Sequence, residues 1–159
     1  MTEKATIVLF SGEFDKAMAA LIIATGMAAQ GMDVTMFFTF WGLNVIKKDK
    51  GRIVGAKNWM QKMFSKINRG GVSRLPLSKF NMGGIGKSML KKIMKSQKVS
   101  SLPALMEMAH DLDVKFWPCK MSMDVMGIAK EDLIDGVEKV VGVAAYAAEA
   151  ANAKVNLFI

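Results

Sequence analysis

Ala5-Thr6-Ile7-Val8-Leu9-Phe10 runs into Ser11-Gly12, then into a long stretch from Phe14 to Gln30, and then into Val34-Thr35-Met36-Phe37-Phe38-Thr39-Phe40. The outer two stretches are near-continuous apolar runs rich in strand formers, the pattern of parallel strands covered on both faces. Ala, Met, Leu and Ile dominate the middle stretch, and Gly31 supplies a stop, so it predicts a helix. That helix is apolar nearly all round and should be well buried. Strand, helix, strand in so short a span is a βαβ unit, which crosses over right-handedly.

The same rhythm returns toward the C-terminus. Leu102 to Leu112 predicts a helix with Pro103 in its first turn. Val114 to Pro118 reads as a buried strand, Lys130 to Ile134 as a short helical stretch, and Val137 to Val140 as a short strand. Val143 to Ala153 is a small-residue helix, and Val155 to Ile159 a terminal strand. About five strands alternating with helices predict an α/β fold: a three-layer α/β/α sandwich with a mostly parallel sheet. The 159 residues, 52% hydrophobic, are expected to form a single domain, 1–159, with a substantial core.

The stretch at about 47–100 breaks that rhythm. The net charge of +8 is uneven: residues 47–98 hold 15 of the 22 Lys and Arg but one of the 14 Asp and Glu. A mildly acidic body therefore carries one strongly basic, Met-rich, mainly helical insertion. Lys57 to Ile67 is amphipathic at helical spacing, with Trp59, Met60, Met63, Phe64 and Ile67 on one face. Lys87 to Gln97 repeats the theme, setting Met89, Leu90, Ile93 and Met94 against Lys91, Lys92, Lys95 and Lys98. The plain reading packs both apolar faces within the protein or on a neighbouring subunit and leaves the lysines solvated. The functional reading gives Lys62, Lys66, Lys87, Lys91, Lys92 and Lys95 to partner binding. An acidic protein suits them, as does an anionic membrane surface. Nucleic acid suits them least, because Arg69 and Arg74 make the one arginine-rich hint and aromatics are few.

Within this insertion, Asn81 to Ser88 resembles a phosphate-binding loop but fails its test. The motif needs glycine where Asn81 stands, and it must leave a strand; Leu75-Pro76-Leu77-Ser78-Lys79-Phe80 has little strand character. A tightly turned connector is expected.

Cys119 is the lone cysteine, at the end of the Val114–Pro118 run and just before the helix start Ser122-Met123-Asp124. One cysteine makes no internal disulfide and no cysteine-based zinc site. A strand end beside a helix N-terminus favours thiolate, because unpaired N–H groups and the helix dipole point at it. The plain alternative is a buried, space-filling thiol. In open α/β sheets, sites form beyond the carboxyl ends of the strands. Ser11-Gly12, Trp41-Gly42 and Cys119 are expected to converge there. His110, the only histidine, has no Cys or His cluster near it in sequence, so no metal site and no cofactor is expected.

Four stretches together resemble the DsrE/DsrF-like family, in the branch labelled either peroxiredoxin-like or DsrE-type sulfurtransferase. They are Leu9 to Ala17, Phe37 to Asn44, Asn81 to Gly84 and Cys119 to Gly127. The Phe40-Trp41-Gly42 and Cys119-Lys120-Met121-Ser122-Met123-Asp124-Val125-Met126-Gly127 stretches carry most of the likeness. The resemblance implies homo- or hetero-oligomeric assembly and a cysteine, here Cys119, that takes up sulfane sulfur as a persulfide. It implies a sulfur carrier or sulfurtransferase with donor and acceptor protein partners. Ser11, Gly12, Trp41, Gly42, Ser122, Met123 and Asp124 are expected to line the pocket and stabilise the anion. No Thr-x-x-Cys peroxidatic pattern is present. The competing expectation is an oligomeric adaptor with an inert Cys119 and a docking insertion. No signal-peptide pattern is visible and the one cysteine is unpaired, so a cytoplasmic location is expected.

Overall fold

The computed structural model describes residues 2–49 and 54–159; residues 50–53 of the basic insertion lie outside the described residues. Strand β1 (Lys4–Leu9) leads to α1 (Phe14–Ala29) and β2 (Asp33–Phe38). The insertion carries α2 (Trp59–Ile67) and α3 (Ile85–Ser96). Then come α4 (Leu102–Asp111), β3 (Lys115–Pro118), α5 (Lys120–Met126), α6 (Val143–Ala151) and β4 (Val155–Phe158).

The described strands make one four-stranded parallel sheet in the order β3-β2-β1-β4. β1 and β2 pair over their full lengths, from Lys4↔Asp33 to Leu9↔Phe38. Both strands are buried along five successive residues, which is why they read as unbroken apolar runs.

Alternate side chains divide the sheet into two unequal faces. Ala5, Ile7, Leu9, Val34, Met36, Phe38 and Phe116 join α1 and α4 in the main core. Val8, Phe37, Trp117, Cys119 and Val141 form a small second cluster, with Tyr146 of α6 against it. Phe37 stacks on Tyr146 at 4.5 Å between ring centroids. Helix α6 has no buried residue of its own, so the second layer is thin.

The expected fifth strand is absent from the described residues. Val137–Val140 forms no ladder, and pairing is confined to one parallel bridge, Cys119↔Val141. Gly136 has φ of +87° and ends the preceding turn, and Val137 and Val140 pack against the main core, so only Val141 lies beside the sheet. No helix among the described residues is long and apolar enough to cross a membrane.

Glycines allow the strand ends to meet. A Cβ on Gly42 would lie 1.9 Å from the Leu9 carbonyl oxygen, and one on Gly12 would lie 2.6 Å from that of Trp41. The Gly42 N–H also donates to Phe10 O at 2.8 Å. The Asn81–Ser88 stretch leaves a loop, not a strand. Gly83 and Gly84, at φ +68° and +99°, turn the chain into α3.

Candidate functional site

Cys119 holds the N-cap position of α5 with extended backbone, φ −73° and ψ 117°. Its N–H donates to Phe38 O at 2.8 Å, continuing the ladder to β2. On its other side, Val141 N–H donates to Pro118 O at 3.1 Å and Lys120 N–H to Val141 O at 2.9 Å. Cys119 is thus held between the end of β2 and the residue that bridges to it.

Its side chain lies in the second cluster and is 1% exposed. From beyond β3, Val141 and Tyr146 cover it. Trp117 Nε1 donates to Glu138 Oε2 at 3.2 Å, and the Lys139 ammonium sits 4.5 Å above the Trp117 ring. The segment that carries Val141 is held to β3 by the two main-chain hydrogen bonds at Val141 and by these two contacts of Glu138 and Lys139 with Trp117.

The expected helix-start residues take three different roles. Ser122 is fully buried, and its Oγ is 2.9 Å from Thr39 Oγ1, pinning α5 to the end of β2. Met123 packs in the main core. Asp124 faces solvent, paired with Lys120 one turn away. The Lys120 N–H is engaged by Val141 O, as above, and the Met123 N–H by Cys119 O at 3.0 Å.

Ser11, Gly12 and Trp41 come together, but in a cleft of about 330 Å³ of which Cys119 is not a lining residue. The strand order explains the separation. β3 lies two strands from β1, and strands are spaced by about 4.8 Å, so the two ends stand roughly 10 Å apart. Glu13, Lys16, Asn44 and Arg69 share the cleft. Lys16 pairs with Glu13 at 2.9 Å and reaches Ser11 Oγ at 3.3 Å. Trp41 forms an outer wall and leans on Phe64 of α2, 5.7 Å between centroids. Gly42 is buried below, where it closes the turn.

Behind this cleft sits a polar group that the sequence did not single out. The Lys47 ammonium is buried and donates to Asn44 Oδ1 at 3.3 Å and Asn68 O at 3.1 Å. Burial lowers its pKa to about 8, against the opposing pull of Asp132. The buried Asp132 carboxylate in turn accepts from the N–H groups of Val54, Gly55 and Ala129 at 2.7, 3.2 and 2.8 Å. The only hint in the sequence is that Lys47 directly follows the apolar pair Val45-Ile46.

The insertion lysines divide as well. Lys62 and Lys66 on α2, and Lys92 on α3, are exposed. Lys87 donates to Ser73 O and Leu75 O at 2.8 and 2.9 Å and so ties α3 to the preceding loop. Lys91 lies 5.5 Å over the Phe14 ring, and Lys95 lines a cleft beside it. Neither α2 nor α3 has a buried residue. Leu90 and Met94 pack on the core, whereas Met89 and Ile93 face outward. Trp59 and Ile67 are 70% and 76% exposed. Among the described residues no group of three His, Cys, Asp or Glu side chains is placed to hold a metal ion.

Comparison with known proteins adds four findings. A family model described as DsrE/DsrF/DrsH-like matches residues 1–158. The chain is 47% identical over 158 residues to YrkE of Bacillus subtilis (strain 168), named an uncharacterized protein, covering 99% of this chain and 98% of that one. It is 32% identical over 165 residues to the protein of Allochromatium vinosum named sulfur carrier protein DsrE2, again covering 99% and 98%. Among solved structures, the ychN protein from E. coli superposes with a TM-score of 0.54 over 100% of both chains at 15% identity, a likeness of fold.

Proposed function

This chain belongs to the DsrE/DsrF/DrsH-like family, and from that membership we propose that it is a sulfur carrier whose Cys119 holds one sulfane sulfur as a persulfide and relays it between partner proteins. The name of the Allochromatium vinosum relative supports the sulfur-relay role. The observation that carries the choice of residue is the position of Cys119: the chain's one thiol, at a strand end, under a thin and lightly attached cover.

The transfer needs no oxidant. The Cys119 thiolate attacks the outer sulfur of a donor persulfide, a new S–S bond forms to Cys119, and the donor leaves as its thiolate. Delivery is the same exchange in reverse, with an acceptor thiolate attacking the outer sulfur now carried by Cys119. With no second cysteine in the chain, the persulfide has no internal thiol to resolve it. Because the thiol is buried at rest, loading requires Val141 to lift from the end of β3, a local opening that two main-chain hydrogen bonds oppose. A closed cover then keeps water and stray thiols from the stored sulfur. The carrier is placed in the cytoplasm, where a single thiol stays reduced.

The exposed apolar and basic faces of α2 and α3 support a second reading, a non-catalytic oligomeric adaptor that docks an acidic protein or an anionic membrane surface while Cys119 stays inert. Cyanolysis separates the two. After incubation with a persulfide donor, the carrier releases close to one thiocyanate per chain on cyanide treatment, and Cys119→Ser releases none. The adaptor instead loses partner binding when Lys62, Lys66 and Lys92 are reversed to Glu, and it yields no thiocyanate above the Cys119→Ser background.

A further inference from the structure

We propose that the cleft between α3 and the start of α4 binds an amphiphilic anion, a straight-chain carboxylate whose tail enters the cleft and whose head meets Lys91, Lys95 and Lys98. This site lies apart from Cys119 and does not depend on its role. The cleft holds about 560 Å³, inside the range of ~300–1,000 Å³ common for small-molecule sites. Its floor is apolar: Phe14 and Leu102 are fully buried core residues, and Val72, Met94, Val99 and Pro103 complete the walls. Met94 gives one wall an adaptable, unbranched side chain.

Three of the four charged side chains in the lining are cationic. Lys91, Lys95 and Lys98 follow one another at i, i+4 and i+7, so they project along one side of α3 and its C-terminal turn. Among the described residues none of the three has a carboxylate within 4.0 Å. Asp49 is the one carboxylate in the lining, and its Oδ1 already accepts from Ser73 N–H at 3.2 Å and Ser73 Oγ at 2.9 Å. Positive charge therefore concentrates there. Lys87 registers it, its pKa lowered by burial and then by the nearby Lys91 ammonium.

The combination selects the ligand class. A hydrophilic anion would satisfy the lysines and leave the floor wet. An uncharged hydrocarbon would fill the floor and leave three ammonium groups crowded over it. A molecule with an anionic head and an extended apolar tail answers both demands.

Calorimetric titration of the full chain with laurate, kept below its micelle-forming concentration, tests the proposal. One laurate is expected per chain. Lys91→Ala/Lys95→Ala/Lys98→Ala together should weaken binding at least tenfold, and Val99→Trp, which fills the cleft, should weaken it as much. Dodecanol should bind at least tenfold more weakly than laurate. Met89→Ser/Ile93→Ser, on the outward face of α3, should leave laurate affinity unchanged. Absence of saturable laurate binding overturns the proposal. So does binding that survives the lysine and Val99 substitutions, or that is lost with Met89 and Ile93. The lysine variant changes only exposed positions, so it decides the matter should Val99→Trp misfold. Cys119→Ser, which lies outside this cleft, is expected to bind laurate as wild type does, so this proposal and the role of Cys119 fail separately.

Discussion

Cys119 and Lys47 are a buried thiol and a buried ammonium, and each makes a distinct claim about single residues. For Cys119 the claim is that its cover, not its chemistry, limits access. Val141→Gly removes the apolar cap from the Cys119 bridge while leaving both main-chain hydrogen bonds in place. Native iodoacetamide alkylation of Cys119 should rise at least tenfold in that variant; an unchanged rate would place the barrier elsewhere. For Lys47 the folded pKa of about 8 lies below the ordinary 10.5. Between those values the unfolded chain holds the extra proton, so stability rises with pH across that window, by at most about 3 kcal/mol. Below pH 8 both states are protonated and the cost of burying the ammonium is present in full. Urea unfolding at pH 7.5 and 10 should show the rise in wild type and a flatter response in Lys47→Met. Asp132, which no sequence pattern marks, is expected to matter more than its type suggests. Asp132→Ala strands three N–H groups and should cost about 3 kcal/mol by the same unfolding measurement.

Among the elements, the turn after β2 is the least forgiving. Gly42→Ala would drive a Cβ into the Leu9 carbonyl, two backbone segments that cannot both yield, and is expected to cost about 3 kcal/mol or prevent folding. Asn58 caps α2 by accepting the Gln61 N–H at 2.8 Å. Asn58→Ala should lower the helicity of α2, at a cost of about 1 kcal/mol, and faster amide exchange over residues 59–67 would report it. The elements also show what the sequence discloses. β1, α1 and β2 were legible to within a residue or two, because both sheet faces are covered and the apolar runs have no competing period. The Val137–Val140 stretch carries apolar residues at both ends yet forms no strand, since both valines pack on the main core and only Val141 reaches the sheet. In α3, periodicity grouped Met89 and Ile93 with Leu90 and Met94, but a stripe of that width exceeds the surface α3 meets, and half of it faces outward. The place of Cys119 in the chain was readable. Its burial was not, because the cover comes from some twenty residues further along, and the separation of Cys119 from Ser11 and Gly12 follows from strand order, which no local pattern encodes.

For the molecule as a whole, charge and burial are segregated. A compact sheet core hides the single thiol, while the basic α2 and α3 stand outward with apolar side chains uncovered. In the carrier account the exposed segment receives donor and acceptor proteins, and the core stores the sulfur. Partner capture should therefore weaken as salt rises, whereas sulfur loading from a small persulfide should not. The central claim is that one residue of this chain carries one sulfur. Intact mass after incubation with a persulfide donor measures it directly. The account predicts a single increment of about 32 Da, one sulfur atom, mapping to Cys119, removed by a reducing thiol and absent in Cys119→Ser. An unshifted mass, under conditions that load an established carrier, would contradict it.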